Sequence, residues 1–204
     1  TNEKFAELLE RLKSLHYTSK DESLTLKNYH FKDLNFKSHR FIHYNFLSCT
    51  FENVDFTKSL FSYMGLENCI FKSCQFKCVY FSHCYIVEVD FTDYIFDYCS
   101  FSYCYILRSL FRKCKFHYSY LISSNIIECD FTGANLDNIK SYKRTNIEYC
   151  KNLNIISFKL SDCDEATYIN GSITIGSERR TVAEWIKTGR KFGLEHEWSS
   201  GDID

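Results

Sequence analysis

Eleven cysteines and seven histidines in 204 residues call first for a search for metal or thiol chemistry. A structural zinc site uses close Cys pairs joined by a second Cys or His pair. A nucleophilic thiol needs a histidine to activate it. The spacings offer neither. Cys69 and Cys74 stand five apart, as do Cys99 and Cys104, with no CxxC pair and no paired His cluster. The histidines are scattered over His16, His30, His39, His43, His83, His117 and His196. Asp55, Asp90, Asp130 and Asn135 each directly precede a Phe or Leu. Short Asx side chains in such places bond the backbone two residues on, and the four read as turn caps, not as acids or bases. No Gly-rich phosphate loop, HExxH or Walker pattern occurs. The sequence predicts no catalytic residue, no cofactor and no metal.

The elements that position these residues follow from one periodicity. From Phe31 to Leu136 every fifth residue is apolar: 22 positions, 16 of them Phe. Five residues advance an α-helix by about 500°, so the Phe set would wander around every side. On a straight strand, positions five apart point to opposite faces. All 22 can share one core only where the chain turns a corner about once per repeat. Steps of twenty sort the set further. Phe31, Phe51, Phe71, Phe91, Phe111 and Phe131 form one column, and Phe46, Leu66, Ile86, Ile106 and Ile126 form another. Four of the six non-Phe centres fall in that last column. A twenty-residue coil with four faces explains it. Gly is rare (7) and Pro absent, which argues against ordinary tight turns.

The pattern resembles the pentapeptide-repeat proteins, whose unit reads small–(Asp/Asn)–(Leu/Phe)–x–x. Cys129-Asp130-Phe131-Thr132-Gly133 and Ala134-Asn135-Leu136-Asp137-Asn138 match it closely; Cys49-Thr50-Phe51, Val54-Asp55-Phe56 and Val89-Asp90-Phe91 match in part. The resemblance spans residues 29–138. It implies an all-β solenoid, a right-handed quadrilateral β-helix, with the centre residue and the one two before it pointing inward. The stack would be roughly 25 Å long at the spacing of paired strands. Eight of the eleven cysteines occupy the place two before a centre. There Cys acts as a small hydrophobe beside a Phe, and so many unpaired thiols suit a cytoplasmic or other reducing compartment. The slot holds Tyr29, Leu34, His39, Tyr44, Met64 and Tyr94 against the family pattern. Four of these lie in the first coil, which should be wider or partly open.

Solenoid ends need caps. Residues 1–20 predict an N-terminal capping helix, with Phe5, Leu8, Leu9, Leu12 and Leu15 at helical spacing. The β-helix is expected over 21–138, irregular extra coils over 139–176, and a C-terminal helical cap and tail over 177–204. Ile173 to Gly176 reads as a last short strand, and Thr181 through Glu184 as a capping box opening a helix that ends near Gly193.

Function is expected on the surface. A net charge of −1, with 25 basic and 26 acidic residues, excludes a nucleic-acid footprint. No apolar run is long enough to span a bilayer. The candidate partner-binding residues are Tyr63, His83, Tyr103, Tyr80, Tyr85, Tyr105, Val87, Leu107 and Ile127, on the third and fourth faces. Lys32, Lys37, Lys72, Lys77 and Arg112 mark the other two. A contiguous apolar patch marks an interface: with another protein, with a second copy in a homodimer, or with the chain's own flanks. The expected role is a non-catalytic protein-binding scaffold within a bacterial protein, effector-like (then in the host cytosol) or phage-related. The resemblance also admits a DNA-mimicking gyrase binder, although residues 29–138 hold 10 basic and 11 acidic residues. A third reading is the β-helix of a multi-domain enzyme such as a bacterial ubiquitin ligase, with catalysis elsewhere.

Overall fold

A computed structural model describes Glu10, residues 23–136, Ile139, residues 144–153, 155–159, 165–169, 172–175 and 178–195. The expected N-terminal capping helix and the tail beyond residue 195 lie outside the described residues.

Between Leu24 and Lys151 the chain winds as a four-sided parallel β-solenoid. Each coil pairs with the next at a shift of twenty residues. The fourth face carries a seven-stranded sheet running from Leu24–Lys27 through Tyr44–Leu47 and Tyr85–Val87 to Asn146–Glu148. The third carries five strands, from Arg40–Ile42 to Tyr120–Ile122. On the first, three strands from His30–Lys32 to Ile70–Lys72 continue as single bridges through Asp90, Leu110 and Asp130 to Lys151. The second is held by single bridges alone, such as Asn35 to Asp55 to Gln75.

The centre residues converge as the periodicity requires. Phe51 stacks on Phe31 and Phe71 with ring centroids 5.0 Å away on each side, and Phe71 lies 5.3 Å from Phe91. Edge-on contacts join neighbouring faces, as between Phe51 and Phe56 at 5.6 Å. Phe51 thus meets partners in both geometries that aromatic quadrupoles favour, while Phe61 meets Phe41, Phe56 and Phe81 edge-on. In the first coil the oversized His39 and Tyr44 pack among Phe36, Phe41 and Phe46. The strands there keep register with the second coil, His30 opposite Thr50 and Arg40 opposite Leu60.

The corners explain the scarcity of glycine. Every fifth residue from Asn28 to Glu128 has a positive φ, between 49° and 67°, and none of them is Gly; Gly133 continues the series at 73°. This left-handed conformation costs an ordinary L-residue about 1–2 kcal/mol. It is sustained because the corner N–H is fixed by the adjacent coil: Asn53 donates to the Lys72 carbonyl and Lys58 to that of Lys77. Some corners are also closed as β-turns, with Ser59 N–H donating to Phe56 O at 3.0 Å. Strain relieved by neighbouring contacts, not by glycine, turns the chain.

The end of the solenoid departs from expectation. Asn125 pairs with Asn146, 21 residues on, so one extra residue enters the final coil and Ile147 takes the centre place opposite Ile126. The irregular coils expected over 139–176 give way to a different arrangement. A single strand, Asn146–Glu148, extends the solenoid, and a second compact unit begins at Asn152. It holds an antiparallel meander, Ile155–Lys159, Glu165–Ile169, Ser172–Ile175 and Glu178–Thr181, then the helix Val182–Glu195. The reason is in the sequence: five-residue steps beyond Leu136 reach Ser141, Asn146 and Lys151, which fill no core. The capping box forms, with Thr181 N–H donating to Glu184 Oε2 at 2.8 Å. Trp185 is buried and its indole N–H donates to Ile173 O at 2.8 Å.

Two stability outcomes follow. Phe91→Ala, deep in the stack, is expected to lower unfolding free energy by about 3–5 kcal/mol in urea titration, and Phe91→Leu by less than half of that. Lys58→Gly, at a corner with φ 62°, is expected to raise stability by up to about 1 kcal/mol. A loss instead would show that the corner carries no strain.

Candidate partner-binding face

The residues that could do chemistry are engaged in building the coil. Buried slot thiols donate to the centre carbonyl of the previous coil, 23 residues back: Cys49 to Leu26 O at 3.3 Å, Cys69 to Phe46 O at 3.2 Å, Cys84 to Phe61 O at 3.3 Å. Ser59 and Ser124 do the same to Phe36 O and Phe101 O. The slot therefore favours a small residue that also carries a hydrogen, a role the size argument alone missed. Its signal was the alternation of Cys with Ser, two donors of like shape. Burial pushes the Cys69, Cys99 and Cys114 thiols up to about 12, so they stay protonated near neutrality. Among the described residues no three His, Cys, Asp or Glu side chains converge on one point.

The aspartates before the centres cap the turns. Thr57, Thr92 and Thr132 N–H groups donate to Asp55, Asp90 and Asp130 at 2.9, 2.8 and 2.9 Å. Asp130 also accepts from the Thr132 hydroxyl and pairs with Arg112 at 2.7 Å. The Thr132 hydroxyl above all, then its N–H and the Arg112 guanidinium, hold the Asp130 carboxyl down at about 2.

Ion pairs mark the first and second faces, beside the exposed Ile70 and Ile95. Lys32 meets Glu52, Lys37 lies 3.0 Å from Asp55, and Arg112 meets Asp130. The third face and its two corners differ. The rings of His43, Tyr63, His83 and Tyr103 form one continuous stack along a corner, with centroids 5.2, 4.6 and 4.9 Å apart. Tyr63 thus lies between the two histidines. Tyr85 and Tyr105 stack at 4.9 Å on the adjoining fourth face. Tyr63, Tyr80, Tyr85 and Tyr103 are exposed at 52, 54, 50 and 57%, Tyr105 is half-buried, and His83 is exposed. Val87 does not share this surface. It is buried, 8% exposed, flanked in register by Glu67 and Leu107 one coil to either side. Leu107 and Ile127 are half-buried.

A second stack, Tyr98 on Tyr118 at 5.2 Å, lines the corner on the other side of the third face. Sequence reasoning overlooked it, although the same twenty-residue sorting reveals it. The far corner of the fourth face carries Arg108 between Glu88, at 3.1 Å, and Glu128, at 3.7 Å. Beyond Arg40 in its first strand, the third face is therefore an uncharged strip from Leu60 to Ile122, with Tyr80 and Tyr120 on it and ring stacks at both borders. Within the four-membered stack Tyr63 and His83 are covered on both ring faces and present edges, a hydroxyl and imidazole nitrogens, whereas Tyr85 stands beside Gly65, which has no side chain to cover its outer face.

A β-helix whose every side is one five-residue unit is a pentapeptide-repeat fold, and this chain has that fold. No family model matches the chain, and no curated protein does. Among solved structures it is similar to QnrB1, a plasmid-mediated fluoroquinolone resistance protein, at 13% identity, covering 62% of this chain and 81% of that one with a TM-score of 0.40. The pentapeptide-repeat protein Rfr23 of the cyanobacterium Cyanothece 51142 is 13% identical over 63% of this chain and 84% of its own, TM-score 0.30. HetL, a pentapeptide-repeat protein involved in heterocyst differentiation regulation in Nostoc, is 7% identical over 74% and 92%, TM-score 0.29. At such values the likenesses add nothing to what the chain's own five-residue register establishes.

The Asp130 network sets a pH-dependent outcome. A carboxyl held below its unfolded value stabilises the fold fully above that value, and the contribution disappears as pH falls through about 2. Asp130→Asn keeps the turn cap but loses the charge facing Arg112. The stability gap between wild type and this variant, from urea unfolding, is expected to be widest near pH 6 and to close toward pH 2.

Proposed function

We propose that the chain is a non-catalytic scaffold that binds another protein through its third face and the adjoining tyrosine ladders. The observation that carries this is the uncharged strip from Leu60 to Ile122 bordered by exposed stacked rings, while ion pairs such as Lys32–Glu52 and Lys37–Asp55 stand on the first and second faces. Tyrosine suits such a role, since it adds large contact area with few rotatable bonds and a hydroxyl at the rim. The stacked arrangement orders the rings before any partner arrives, which lowers the entropy lost on binding. The face carries one basic residue, Arg40, in its first strand and none from Leu60 onward, too few for the phosphate contacts of a nucleic-acid partner, which favours a protein surface.

The test pairs surface variants with an opposite-face control. Tyr103→Ser with Tyr105→Ser should lower affinity for a captured partner by about 30-fold or more, as an anchor contribution of about 2 kcal/mol requires. Lys72→Ala with Lys77→Ala should leave it unchanged. Circular dichroism checks that both variants remain folded. Binding that survives the tyrosine changes and fails with the lysine changes would place the interface on the wrong side of the rod. Inhibition of DNA gyrase supercoiling by the wild-type chain would move the reading to a topoisomerase binder.

A further inference from the structure

The slot columns stack cysteine on cysteine in three places: Cys49 with Cys69, Cys84 with Cys104, and Cys129 with Cys150. The first two pairs are fully buried and their thiols are bonded to core carbonyls. The third lies in the last coil of the solenoid, where Cys150 is half-exposed. Cys129 N–H donates to Cys150 Sγ at 3.4 Å, and Lys151 N–H donates to Cys129 O at 2.8 Å. Asp130 and Lys151, the next residue on each strand, form a parallel bridge. The two backbones are therefore one strand spacing apart, about 4.8 Å, inside the roughly 4.4–6.8 Å range of Cα separations that a disulfide spans. The two side chains stand one above the other in the same slot column, and the neighbouring thiol lowers the Cys150 thiol and raises that of Cys129. Cys78 is also half-exposed, but the residues above and below it are Lys58 and Tyr98, so it has no stacked sulfur.

We propose that Cys129 and Cys150 are a peroxide-responsive pair, in which Cys150 is oxidised first and Cys129 then closes a disulfide that fastens the last coil to the one before it. The Cys150 thiolate attacks one oxygen of hydrogen peroxide. The O–O bond breaks, giving Cys150 sulfenic acid and hydroxide, which takes up the proton lost by the thiol. The Cys129 sulfur then attacks the sulfenic sulfur. The S–O bond breaks, the Cys129 proton leaves with the hydroxyl as a second water, and the S–S bond forms. Two thiols lose two electrons and peroxide gains them. The bond removes the thiol hydrogens that now serve Ile126 O, at 3.3 Å, and Ile127 O, at 3.3 Å. Losing those donors favours return to the dithiol when a reductant is present.

The experiment treats the full chain with hydrogen peroxide, blocks remaining thiols with iodoacetamide without reduction, and maps tryptic peptides by mass spectrometry. Lys140, Lys143 and Arg144 let trypsin part the two cysteines. The expected result is a Cys129–Cys150 cross-linked peptide that dithiothreitol releases, with Cys84 and Cys104 still free thiols. In Cys129→Ser the cross-link should be lost and Cys150 trapped instead as its dimedone adduct; Ser109 and Ser124 show that the slot accepts serine. Cys163→Ser is run in parallel so that this third thiol cannot substitute. Cys150 found as sulfinic or sulfonic acid beside a free Cys129 would overturn the proposal. So would a Cys150–Cys78 link, or equal dimedone trapping at Cys150 with and without Cys129.

Discussion

Up to the last coil, where the step is 21, each side chain of the solenoid meets the one twenty places along the sequence, one strand spacing away. From this single registration come the Phe columns inside, the thiol-to-carbonyl bonds in the slot, the ion ladder of Glu88, Arg108 and Glu128, and the ring ladders outside. None of these depends on distant parts of the fold. Each coil is a layer whose inner rings fill the space and whose outer residues are ordered by the layers next to it, so stability and surface order arise from the same nearest-neighbour contacts.

The fold was legible because its signal is periodic. The 22 centre residues specify the core, and sorting them by twenty specifies the number of sides. The slot was only half legible. Its small size follows from the adjacent Phe, but its role as a hydrogen donor depends on where the previous coil's carbonyl points, which no single repeat reveals. The corners were less legible still. Residues as different as Asn28, Tyr63, Glu88 and Arg108 all take positive φ, so no residue type announces the turn. Position in the repeat decides it, overriding local propensity. Past Leu136 the period is lost, and the antiparallel meander has only the ordinary, weaker alternation of short strands to announce it.

The candidate face was legible in part for the same reason. Tyr63, His83 and Tyr103 fall in one column of the sequence and in one stack of the structure. Val87 shows the limit of that reasoning. An outward position in the repeat is not an exposed one when longer neighbours stand in register above and below. Tyr98 and Tyr118 show the converse, since a corner column carries as much surface as a face. What distinguishes this surface physically is direction: rings stacked along the solenoid axis hide the faces of the inner members, Tyr63 and His83, from solvent.

The extra residue that pairs Asn125 with Asn146 has a further consequence. It moves the chain out of phase by one place in five. Pairing nevertheless resumes beyond it, with Ile147 opposite Ile126 and Lys151 opposite Asp130. The coil is thus held by face-to-face pairing and not by strict counting along the chain: a residue added between two paired faces is absorbed there, and the next face recovers its register.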